Sequence, residues 1–182
     1  MTIPSLHPRV AEIVDALERS QRDLVDVVMS IPADRRDAPA IGDKWSIAQQ
    51  LEHLAIVEDG AGRLMSKLIK QVEASGERET DDTSFLQSLD RYQVWTVTRP
   101  VAAPDFVTPK EGLTSSDALA RLTESRNRMI GALERASGMA LASVTAPHPL
   151  VGPLNVYQWG LVMAQHHRRH IEQIRAIAGL GD

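Results

Sequence analysis

The 182-residue chain contains no cysteine. Disulfides, thiolate metal ligands and a cysteine nucleophile are therefore all excluded, and the absence fits a reducing compartment. Aromatic residues are also scarce, with three Trp, two Tyr and two Phe, so the tryptophans are expected to anchor the core or one end of the fold. No apolar run approaches the roughly 20 residues of a membrane span. The opening Met-Thr-Ile-Pro-Ser-Leu-His-Pro lacks the basic start and apolar centre of a secretory signal. The expectation is a cytoplasmic protein with no membrane partner. Basic blocks are missing too, and the net charge is -4, which argues against nucleic acid as the main partner because phosphate binding needs a positive face.

The composition is otherwise that of a globular protein, 43% hydrophobic and 24% charged. This length supplies one full core and falls short of two ordinary ones, so residues 1–182 are expected to form one domain. From Pro8 to Ile31, apolar residues recur at threes and fours (Val10, Ile13, Val14, Leu17, Leu24, Val27, Val28), the pattern of an amphipathic helix, and Pro32 stops it. Ser46-Ile-Ala-Gln49 is a capping box for a second helix running to about Ala74, just before Ser75-Gly76. Its stripe is Ile47, Leu51, Leu54, Ala61, Met65, Leu68 and Val72. His53 lies at the edge of that stripe and Glu58 near its centre, an odd place for a carboxylate without a cation or donors.

Residues 75–114 carry weaker signals. Phe85, Leu86, Leu89, Tyr92 and Trp95 have helical spacing, and Arg99 to Pro109, with three prolines, reads as an ordered extended loop. A third long helix is predicted from a Ser115 cap, with Asp117 in its first turn, to near Ser137-Gly138. His148-Pro-Leu-Val-Gly-Pro-Leu reads as a second loop. Asn155, with Gln158 completing a capping box, opens a final helix. Four long amphipathic helices without convincing strand alternation give an all-α four-helix bundle, with a long, partly helical connection between helices two and three.

The final helix carries the chemistry. At about 100° per residue, Val156, Trp159, Met163, Ile174 and Ile177 share a face with His166 and His170 in its middle, while Gln165, Arg169 and Glu172 point away. A lone histidine on an apolar face is most simply a core residue satisfied by a carbonyl or carboxylate. Two of them at i and i+4 can converge on one metal ion, or serve as a general-base pair without metal, and spacing alone leaves both open. His167 lies about 100° from His166 and is expected at the rim, orienting substrate or packing. His7 and His148, beside prolines, are expected to be exposed or packed locally. Arg168 and Arg169 read as solvated charge, and Trp159 as a core anchor that also walls the pocket.

Three stretches belong together: Trp45-Ser-Ile-Ala-Gln-Gln-Leu-Glu-His53-Leu, the Ala103 to Pro109 loop with Ser115 and the Leu119 to Arg126 segment, and His148-Pro-Leu-Val-Gly-Pro-Leu-Asn with His166-x-x-x-His170-Ile-x-Gln173-Ile. In this order they resemble the DinB-like superfamily, which includes bacillithiol transferases, mycothiol-dependent maleylpyruvate isomerase and YfiT-type metal-dependent hydrolases. The three stretches span nearly the whole chain. The resemblance implies an up-down-down-up bundle holding one divalent metal (Ni, Zn, Fe or Mn) through His53, His166 and His170. It further implies a homodimer and a small-molecule substrate. Three imidazoles leave positions open for water or substrate, as in catalytic sites, so the implied activity is metal-dependent hydrolysis or S-transfer. Without cysteine, any thiolate must come from a low-molecular-weight thiol. Glu58, Glu52 or Gln173 are candidates to orient a ligand imidazole, and Glu58 alternatively a general base. A stress-associated protein that binds metal or a small ligand without turnover is the alternative from another class.

Overall fold

Every long helix begins where the sequence supplies a cap. The computed structural model describes residues 5–39, 42, 44–87 and 103–180. Helix α1 (Pro8–Ser30) starts behind His7, whose ring accepts from Arg9 N, with proline in its first turn, where a missing N–H costs nothing. A one-turn helix α2 (Ala33–Arg36) follows. Helix α3 (Ile47–Ser75) opens on the Ser46/Gln49 capping box and closes at Gly76, whose φ of 70° is left-handed, the region glycine enters without a Cβ penalty. Helix α4 (Ser115–Arg135) is capped by Thr114 rather than Ser115, the threonine hydroxyl accepting from Asp117 N. Helix α5 (Val156–Ala178) opens on the Asn155/Gln158 box.

The connection before α5 departs from the expected loop. Thr145–His148 (β1) and Gly152–Asn155 (β2) pair antiparallel as a small hairpin. Its two prolines, Pro147 and Pro153, face each other across the ladder. Proline is tolerated there because each strand has a free edge, and these same prolines hide any period-2 pattern in the sequence. Asp105–Val107 forms one 3-10 turn. Leu89, Tyr92 and Trp95, and Arg99 to Ala102, lie outside the described residues.

The core has two apolar halves. One gathers Val10, Ile13, Leu17, Met65, Leu133 and Trp159. The other gathers Leu24, Val28, Leu51, Leu54, Leu122 and Ile174. On every long helix a buried polar residue sits between the two sets: Ser20 on α1, Glu58 on α3, Arg126 on α4 and His167 on α5. The second half takes the C-terminal part of α1, the N-terminal parts of α3 and α4, and the C-terminal part of α5. The helices therefore run up, down, down, up, and the fold is the all-α bundle expected. Ile177, expected on the buried face, is 40% exposed, while the next residue, Ala178, is buried.

Candidate metal centre

Five residues before Glu58, α3 presents His53, and α5 presents His166 and His170 one turn apart. His53, in the second turn of α3, meets the middle of α5. The three imidazoles form a group whose ligand atoms all lie within 4.8 Å of one another. Ring centroids are separated by 4.5 Å for His166–His170, 5.0 Å for His53–His170 and 5.4 Å for His53–His166. His53 and His170 are buried and His166 is half-buried.

Hydrogen bonds set which nitrogen of each ring is available. His53 Nδ1 donates to the carbonyl of Val107 at 2.8 Å. His170 Nδ1 donates to Gln50 Oε1 at 2.5 Å. A proton held on Nδ1 leaves the Nε2 lone pair free. His170 Nε2 in turn faces His166 Nε2 at 3.0 Å, a separation compatible with two nitrogens on one ion given metal–nitrogen bonds of about 2.0–2.1 Å.

Electrostatics work in the same direction. Burial, foremost, and the neighbouring imidazoles and Arg169 hold His166 and His170 well below the ordinary histidine range. Burial also lowers His53, against the Val107 hydrogen bond that favours its charged form, with Arg169 lowering it further. All three are therefore neutral at neutral pH, the form that binds a metal. The donor set fits one divalent cation of the borderline class that favours imidazole.

Gln50 was missed in the sequence, although its spacing of i, i+3 with His53 puts both on one face of α3. Glu52, expected to orient an imidazole directly, accepts instead from the backbone amides of Lys110, Glu111 and Leu113. Gln173 offers a buried side-chain oxygen with no partner. Trp45 packs against His53 with centroids 4.9 Å apart. His148 packs against Trp159 at 5.1 Å, local packing as expected.

His167 is a correction. It is fully buried, not at the rim, because Arg126 of α4 supplies the partner that sequence could not show. Arg126 is itself 1% exposed. Its guanidinium donates to Glu58 Oε1 at 2.5 Å, to Leu17 O at 2.5 Å, to Ser20 Oγ at 3.0 Å and to His167 Nε2 at 2.9 Å. That places the His167 proton on Nδ1, near the Ser20 carbonyl though without a well-formed hydrogen bond. Glu58 is thus committed to Arg126, with His167 3.6 Å from its other oxygen, and it is not one of the triad's group. Burial pushes its pKa up, but its surroundings, with the Arg126 guanidinium against it, outweigh that and hold the carboxyl below the usual range.

A surface cleft of about 320 Å³ between α3 and α4 is lined by Arg63, Lys67, Lys70 and Arg128 among others, and by none of the three histidines. Asp59 already pairs with both of its arginines. No helix among the described residues is long and apolar enough to cross a membrane.

No curated protein matches the chain, and no solved structure matches it. The family model of the DinB superfamily matches residues 16–174. That match takes in α3 and α4 whole, most of α1 and α5, and the three converging histidines, and the chain belongs to the DinB superfamily.

Proposed function

We propose that the protein is a metal-dependent enzyme that uses His53, His166 and His170 to hold one divalent ion, and that its reaction is hydrolysis or the S-transfer of a small thiol. The observation that carries this reading is the pair of Nδ1 hydrogen bonds, to Val107 O and Gln50 Oε1. They turn two Nε2 lone pairs toward a common point, an arrangement that a merely packed core histidine does not need.

A bound divalent ion would supply Lewis acidity, lowering the pKa of water or thiol at its open positions. The chain's own contribution is to keep three imidazoles neutral, to fix two of their tautomers and to keep the ligand set at three. Nickel, zinc, iron and manganese all suit imidazole donors to different degrees. Since the chain lacks cysteine, a thiol substrate must be external.

Elemental analysis of the purified protein tests the first half of the proposal. One equivalent of metal is expected, lost in His166→Ala and His170→Ala. Unchanged metal content in both variants would sink the site assignment. Assays with activated esters, amides and pairs of small thiols and electrophiles test the second half. Metal binding without turnover of any of these would favour a binding protein over an enzyme.

A further inference from the structure

Residues 103–114, which include the 3-10 turn and lead into α4, form a strap across one end of the bundle. Phe106 on this strap is 77% exposed, and the strap's own backbone hydrogen bonds are the two that close the turn, from Val107 N to Pro104 O and from Thr108 N to Asp105 O. Glu111 pairs with Arg121 of α4 and Leu113 packs on the second apolar half, but the backbone amides of the strap are gathered by one buried carboxylate. Glu52 of α3, 1% exposed, accepts from Lys110 N and Glu111 N, each at 2.7 Å on Oε1, and from Leu113 N at 3.4 Å on Oε2. Gly112, with φ of +67°, makes the left-handed bend that turns successive amides toward one point. Amide donors to an ionised carboxylate make hydrogen bonds roughly twice as strong as neutral ones.

The same strap carries Val107, whose carbonyl accepts from His53 Nδ1. Glu52 and His53 are adjacent on α3, so one helical turn holds both ends of this arrangement: the anchor of the strap and the ring the strap orients. We infer that Glu52 is a positioning residue for the metal centre. It bonds to none of the three imidazoles and acts by holding the Val107 carbonyl where it keeps the His53 proton on Nδ1 and the Nε2 lone pair toward His166 and His170. Where this concerns metal affinity it rests on the proposed metal site; where it concerns the His53 tautomer it does not.

Two measurements separate these. In metal-free protein, long-range proton–nitrogen NMR of the imidazoles reads the tautomer directly. Native His53 is expected in the Nδ1–H form, and Glu52→Ala is expected to convert it to a mixture or to the Nε2–H form favoured in water. A Glu52→Ala protein that keeps His53 in the Nδ1–H form overturns the inference. Cobalt(II) titration then reads affinity. Glu52→Ala is expected to weaken binding about 10–100-fold, the range for losing an orienting partner, and to add less than about 2-fold in a His53→Ala background, because coupled residues are non-additive. Equal weakening in both backgrounds would mean that Glu52 supports general packing only, and would overturn the positioning role. Failure of the native protein to take up cobalt would remove the metal reading, while the NMR result still decides for or against Glu52. Should Glu52→Ala not fold, Glu52→Gln keeps the volume and one acceptor, and the same two comparisons apply with smaller shifts.

Discussion

Gln50 is the residue whose removal separates packing from positioning most cleanly. Its amide oxygen accepts from His170 Nδ1, and replacing it with leucine keeps the side chain's approximate volume. Gln50→Leu is expected to weaken metal binding about 10–100-fold, as loss of such partners does elsewhere. A chelator competition titration checks this. The histidines also set a dependence on pH. In metal-free protein the folded-state pKa values of His53, His166 and His170 lie below 6.5. The unfolded chain therefore binds more protons once pH falls below about 6.5, and stability declines from there, by up to roughly 1.4 kcal/mol per pH unit for each histidine still neutral when folded. Above about pH 7 the same groups make stability flat. Urea denaturation of chelator-treated protein between pH 5.5 and 8 measures the slope, and a rise in stability on acidification would contradict the assigned neutral state.

The residue scale is also where sequence was most and least informative. The pair His166 and His170 was legible because i, i+4 spacing is a property of one helix. His53 was legible through the resemblance, its place at the edge of a stripe being ambiguous. Gln50, Arg126 and the true surroundings of His167 were not legible, since a partner on another helix leaves no mark on local periodicity.

Elements pack here as closely as their smallest residues permit. Gly160, in the first turns of α5, faces α1 so tightly that a Cβ built on it would lie 2.5 Å from Ile13 Cγ2. Gly160→Ala is therefore expected to destabilise by about 1–3 kcal/mol, the cost of overpacking a filled core, although alanine favours helix more than glycine does. The mechanism predicts rescue: in an Ile13→Ala background the same substitution should cost little or become stabilising. Thermal melts of the four proteins provide the cycle, and additive losses would mean the close approach is not responsible. Helix boundaries were well legible at this scale because capping boxes at Ser46 and Asn155 are local chemistry. The hairpin at 145–155 was not, because its strands are short and each carries a proline.

Across the whole molecule, the layer of Ser20, Glu58, Arg126 and His167 joins all four long helices through one guanidinium. Removing one partner of a buried ion pair is costly because it strands the other. Arg126→Met is expected to cost about 3–5 kcal/mol, whereas Arg126→Met with Glu58→Leu should recover much of the loss, since apolar replacement of both partners is often near neutral. Equilibrium unfolding in urea compares them. If the double variant is no more stable than the single one, the stranded carboxylate is not the main cost. The layer also fixes register. Sliding α5 by one turn would bury His167 among apolar side chains and carry His166 and His170 past His53.

The up-down-down-up order has a consequence for synthesis. Helix α1 packs against α5 in parallel, yet residues 31–155 lie between them. At about 5–20 residues per second, the ribosome makes the partner of α1 on the order of ten seconds after α1 itself. Throughout that interval Val10, Ile13, Val14 and Leu17 lack the surface that covers them in the native bundle. The helix made first is among the last to find its place, so the nascent chain is most exposed to misassociation along the face that later forms its tightest contact.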